Sequence, residues 1–157
     1  MNATELFFHT IQTGNISNLK VQLERNPELV NIKDSRGFTP LIFATYFDKV
    51  DIAKLLIENK APLNDKDASG NTALLGVCFK GNTTLASYLL EHGANINAKN
   101  NNGITALIFS VMYNKIESVE LLLQHNADKS LKDNEGKTAL DYAKEKENEK
   151  MINLLKG

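Results

Sequence analysis

Displacing the chain by 33 residues against itself superimposes four glycines, Gly37, Gly70, Gly103 and Gly136. Two positions later the same displacement aligns Thr39, Thr72, Thr105 and Thr138, and two after those Leu41, Leu74, Leu107 and Leu140. Leu56, Leu89, Leu122 and Leu155 keep the interval, as do Ala61, Ala94 and Ala127, and no column needs an insertion or deletion. A fixed period of this size marks stacked supersecondary units rather than one irregular core. No unit can bury its apolar face alone, so each depends on its neighbours and the end units must be polar outside.

The local physics of one unit follows from its residues. The recurring glycine suits a turn with positive φ, where a Cβ would clash. Thr39 is a helix N-cap, and Pro40 fits the first helical position, where its missing N–H costs nothing. Leu41, Ala44 and Thr45 then follow at helical spacing, and breaks near Asp48, Gly81 or Asn114 end this first helix. A second helix carries Ile52-Ala53 and Leu55-Leu56, or Leu85-Ala86 and Tyr88-Leu89, on one face. It stops at Gly93 or Asn126, and a polar connector such as Asn97-Ala98-Lys99-Asn100-Asn101-Asn102 leads to the next glycine.

Gly37-Phe38-Thr39-Pro40-Leu41-Ile42-Phe43-Ala44 resembles the ankyrin-repeat signature G-x-T-P-L-H-x-A, and His92-Gly93-Ala94-Asn95-Ile96-Asn97-Ala98 resembles the family's G-A-D-x-N-A segment. The resemblance spans nearly the whole chain. It implies an all-α ankyrin-repeat solenoid of about five stacked helix-turn-helix units with projecting finger loops. The units expected are an N-terminal capping unit at 1–33, full repeats at 34–66, 67–99 and 100–132, and a C-terminal capping repeat at 133–157. The signature histidine is replaced by Ile42, Leu75, Ile108 and Asp141, so its tie between units is lost, and the proline survives only as Pro40.

Composition narrows the function classes. Lys and Arg number 18 against 19 Asp and Glu, a net charge of −1 that supplies no cationic field for nucleic acid or acidic lipid. No apolar run approaches the ~20 residues of a membrane helix, and Met1-Asn2-Ala3-Thr4-Glu5 lacks a signal peptide's basic start. Cys78 is the single cysteine, which excludes an internal disulfide, and its equivalents Thr45, Val111 and Lys144 make it a small filler. A cytoplasmic chain, monomeric when free, is expected.

Chemistry is hard to place. His92 and His125 fall one repeat apart, and stacked helices ~8–10 Å apart are too distant for two ligands on one zinc at ~2.0–2.1 Å each. No oriented nucleophile and base pair, and no Gly-rich run ends in Lys-Ser or Lys-Thr. No catalytic residue, metal or cofactor is expected. Gly76 stands where Phe43, Phe109 and Tyr142 place a ring, and the gap is read either as filled by flanking rings or as a small-molecule pocket.

Family resemblance also implies a contact surface, the concave side built from finger tips and the outer turn of each first helix. Carried over column by column it selects Arg36, Phe38, Tyr46, Phe47, Phe79, Lys80, Ile104, Met112 and Tyr113 as partner-binding residues. The helix-end positions among them hold four aromatics, Tyr46, Phe47, Phe79 and Tyr113, in columns expected to face solvent, and aromatics dominate interface hot spots. The competing reading folds Phe47 or Phe79 back over the finger base as packing. The expectation is a non-catalytic module that binds another protein, the alternatives being an inhibitory or regulatory subunit of an enzyme, or a small-molecule or metal-binding protein.

Overall fold

The computed structural model describes residues 1–157, which form ten α-helices, one short 3-10 turn and no strand. No helix is long and apolar enough to cross a membrane. The chain divides into two compact units, 1–73 and 74–157.

The first unit opens with α1 (Ala3–Thr13), α2 (Ile16–Arg25) and a 3-10 turn at Pro27–Asn31, then α3 (Pro40–Tyr46) and α4 (Val50–Glu58). Asn2 and Glu5 cap α1 reciprocally, each side chain accepting from the other's main-chain N–H. α1 packs on α2 and α3, and α3 on α4. Its core holds Phe7, Ile11, Leu19, Leu41 and Leu56, all without solvent exposure.

The second unit contains α5, which begins at the boundary (Ala73–Lys80), then α6 (Thr83–Glu91), α7 (Ala106–Met112), α8 (Ile116–Gln124), α9 (Ala139–Glu145) and α10 (Glu149–Lys156). α7 packs on α8 and α9, α6 on α8 and α9 on α10. Leu74, Leu75, Leu85, Leu89, Leu107 and Leu122 fill its core.

First helices begin at 40, 73, 106 and 139, and second helices at 50, 83, 116 and 149, so the 33-residue period of the sequence is the period of the helices. The threonine column acts as expected: Thr39, Thr105 and Thr138 accept from the N–H three residues on, each at 3.2 Å. First helices end in a left-handed residue at Asp48, Gly81, Asn114 and Glu147, and second helices at Lys60, Gly93 and Asn126. Lys60 and Glu147 adopt that conformation without being glycine or asparagine, which the sequence did not foretell.

Between helix pairs the chain makes one repeated turn. In 34–38 the Asp34 N–H donates to the Phe38 carbonyl at 3.0 Å, while the Asp34 carboxylate accepts from the N–H groups of Arg36 and Phe38 at 2.9 Å each. Asp67, Asn100 and Asp133 repeat this set at the next three connectors. Successive fingers then meet main chain to main chain. Ala68 N–H donates to Arg36 O in the first unit and Asn134 N–H to Asn102 O in the second, both at 3.0 Å. Glycine is required at that contact: Gly37 has φ +76°, and a Cβ there would lie 2.9 Å from Ala68 N.

Candidate interaction face

In the first unit the expected residues gather into one aromatic chain. Phe8 stacks on Phe43 with ring centroids 5.1 Å apart, Phe43 on Phe47 at 4.7 Å, Phe47 on Tyr46 at 5.0 Å and Tyr46 on Phe38 at 5.4 Å. Tilted and edge-on pairs at these distances contribute ~0.5–1.5 kcal/mol each beyond burial. Tyr46 is nonetheless 52% exposed and Phe47 36%. The Arg36 guanidinium lies over the Phe38 ring, 4.3 Å from its centroid, and pairs with Asp34 at 2.8 Å.

A second cluster occupies the other unit. Phe79 meets Tyr113 edge-on at 4.6 Å and Phe109 at 5.7 Å, and Phe109 and Tyr113 lie 5.8 Å apart. Phe79 is 40% exposed and Tyr113 48%. Lys80 and Met112 flank these rings in sequence and are half-buried. Phe47 and Phe79 therefore do both things the sequence offered as alternatives, since each packs one edge on a neighbouring ring and shows the other to solvent.

Two expected contact residues sit elsewhere. Phe38 and Ile104 were placed on exposed finger tips, but both are buried. Each follows the turn glycine and hydrogen-bonds back across the turn, Phe38 to Asp34 and Ile104 to Asn100, which leaves its apolar side chain under the finger rather than on it. Equivalent Asn71 and Lys137 are half-buried. The residues that sequence reasoning passed over are the carboxylate and amide that build the turns, Asp34, Asp67, Asn100 and Asp133. Their signal was a further column at 33-residue spacing.

Polar residues elsewhere have local partners. His92 Nδ1 lies 2.8 Å from Tyr88 O and His125 Nδ1 3.0 Å from Leu121 O, and Asn59 Nδ2 donates likewise to Leu55 O at 2.8 Å. This column caps the ends of second helices, and no three His, Cys, Asp or Glu side chains converge. Cys78 is buried, which pushes its thiol up to about 12. Gly76 lies inside α5 with no atom within 4 Å of where its Cβ would be, so flanking side chains have not closed over it.

In the last repeat the ring position is polar. Tyr142 donates its hydroxyl to the Asp133 carboxylate, which raises the phenol far above its ordinary range. Although burial opposes it, the bonds from Tyr142 and the N–H groups of Lys137 and Glu135 hold the Asp133 carboxyl below its usual range. Lys137 pairs with Glu145 at 2.9 Å.

A family profile described as ankyrin repeats (3 copies) matches residues 7–100 and again 77–157. The chain belongs to the ankyrin-repeat family. Ankyrin repeats are generally protein–protein interaction modules, and their proteins are typically non-catalytic. Over 45 residues the chain is also 42% identical to the human DNA-binding protein RFXANK, a match covering 29% of this ankyrin chain and 17% of that protein.

Proposed function

We propose that this ankyrin-repeat chain is a non-catalytic module that binds a partner protein through the finger side of its first helices. The observation that carries the reading is the set of four exposed rings, Tyr46 and Phe47 in one unit and Phe79 and Tyr113 in the other. Each is held by ring contacts that fix its orientation before any partner arrives. A preordered ring pays little conformational entropy on binding, and buried aromatic anchors are commonly worth ~2 kcal/mol or more. Arg36, Lys80 and Met112 complete the set, while Phe38 packs against Tyr46 and Ile104 is buried in its own finger.

A protein rather than nucleic acid is the partner in this reading. The chain carries a net charge of −1, and the half-buried Lys137 is already paired with Glu145. RFXANK is a DNA-binding protein by name, but a 45-residue alignment within a common repeat does not transfer that property. A cytoplasmic, monomeric chain of five units, capped at 1–33 and 133–157, fits the single buried thiol and the recurrence of the helix starts.

The test is affinity capture from native cell extract with wild type and with a Tyr46→Ser, Phe79→Ser, Tyr113→Ser variant whose helicity is checked by circular dichroism. A partner held by wild type and lost by the folded variant is the expected result. A partner that ignores all three substitutions would overturn the reading and return these rings to packing.

A further inference from the structure

We infer that the surface around Arg36 recognises a carboxylate, carried beside an apolar side chain on an acidic segment of the partner. This rests on the interaction-module reading and adds the chemistry that the N-terminal end of the face selects.

Arg36 is held more firmly than an exposed arginine ordinarily is. Its Nε–H and Nη2–H both donate to Asp34 Oδ2, at 3.1 and 2.8 Å. Its main-chain N–H donates to Asp34 Oδ1, and its carbonyl accepts from Ala68 N–H. The guanidinium plane is further located by Phe38 beneath it and by Phe43, whose centroid is 5.6 Å away. A guanidinium has five N–H donors, and Asp34 engages two. The remaining donors have no partner in the protein, and 49% of the side chain is open to solvent. A planar fork with free donors fits a carboxylate through two parallel bonds, and its immobilisation is already complete before binding.

The surroundings select the sign and shape of the occupant. Arg36 borders an open cleft of about 560 Å³ whose lining includes Lys33, His9, Glu5, Asp34, Phe8 and Phe43. Of the two carboxylates, Asp34 is consumed by the finger turn and by Arg36, and Glu5 closes the cap of α1. The hydrogen-bond donors left for a partner are those of Arg36 and Lys33, the Arg36 charge being already shared with Asp34. Tyr46 and Phe47 belong to the same ring chain as Phe38 and Phe43, so an apolar side chain flanking the carboxylate finds aromatic surface next to the fork.

A phage-displayed random peptide library panned on the full chain tests this, followed by fluorescence anisotropy of the recovered peptides and of versions with Asp or Glu changed to the amide. Recovered peptides are expected to carry an acidic residue flanking an apolar one. The amide versions are expected to bind ~10-fold or more weakly, the scale of a charge-assisted bidentate pair. Arg36→Gln and Arg36→Lys should each cause that loss, because lysine keeps the charge and lacks the fork, and neither should alter binding of the amide peptide. Circular dichroism verifies that both variants fold.

Full affinity in Arg36→Lys, recovery of peptides without acidic residues, recovery of none above a blank surface, or a phosphoserine version that binds better than its acidic parent would each overturn the inference. Peptides lacking carboxylates that are lost only with Tyr46→Ser, Phe47→Ser would refute it while leaving the aromatic face as the binding surface. Peptides indifferent to every one of these substitutions would refute both.

Discussion

Replacing Gly37 by alanine separates two costs that glycine normally hides together. Gly14 and Gly37 have almost the same backbone, φ +75° and +76°, so a Cβ incurs the same left-handed penalty at each, ~1–2 kcal/mol. They differ in surroundings. A Cβ on Gly14 meets no atom within 4 Å, whereas one on Gly37 meets Ala68 N at 2.9 Å, Asp67 C at 3.3 Å and Asp67 Cα at 3.4 Å. Carbon contacts relax at ~3.5–4.0 Å, so the second finger must recede by several tenths of an ångström. That movement stretches the 3.0 Å bond from Ala68 N–H to Arg36 O, worth ~0.5–1.5 kcal/mol net. Gly14→Ala is therefore expected to cost ~1–2 kcal/mol and Gly37→Ala ~1.5–3.5 kcal/mol in urea unfolding followed by circular dichroism. Gly76→Ala supplies the opposite sign. It lies within α5 with open space at its Cβ and should gain ~1 kcal/mol, raising Tm by ~2–4 °C. Equal losses at Gly14 and Gly37 would refute the claim that main-chain contact between fingers is what demands glycine.

Three further outcomes follow from single side chains. Ser118 is fully buried with no partner for its hydroxyl, in a column otherwise filled by Ile52, Leu85 and Met151, so Ser118→Ala should stabilise by up to ~1 kcal/mol in the same denaturation assay. Asp128, Asp133 and Asp141 all have depressed carboxyl pKa values: bonds from Ser130 lower Asp128, bonds from Thr138 lower Asp141, and at Asp133 bonds from Tyr142, Lys137 and Glu135 outweigh burial. Their stabilisation is present above the unfolded value near pH ~4 and is lost as pH falls through the folded values. Asp133→Asn should keep the turn, as Asn100 does, and lessen the acid dependence in a pH series of melts. Cys78, its thiol raised to about 12 by burial, should resist Ellman's reagent in the folded chain and react once urea unfolds it.

Much of this molecule was legible because repetition supplies internal controls. One glycine says little; four at equal spacing, each followed by a capping threonine, place every first helix. Exposure of Tyr46, Phe47, Phe79 and Tyr113 was expected from the ankyrin resemblance, which puts their columns on the outer turn of those helices. Phe38 and Ile104 were selected as finger positions by the resemblance, which does not show that the bond back to residue 34 or 100 tucks the position after the glycine inward. Lys60 and Glu147 show the limit from the other side: the N–H of the next residue bonds back into the helix, Ala61 to Leu56 O and Asn148 to Ala143 O, and sets a left-handed residue where local preference gives no warning. Space at Gly76 was equally invisible, because whether neighbours collapse into a missing ring is decided by tertiary packing.

The connector turn has a consequence for how new specificities arise on this chain. Arg36, Ser69, Asn102 and Glu135 occupy one column, and each donates its N–H to the acceptor two residues before it at 2.9 Å. A cation, a small hydroxyl, an amide and an anion are thus carried on one main-chain shape. At Arg36 and Asn102 the atom that meets the next finger is the main-chain carbonyl, which every such residue possesses. Chemistry at the tip can consequently drift, or be randomised in a library, without renegotiating the register beneath it.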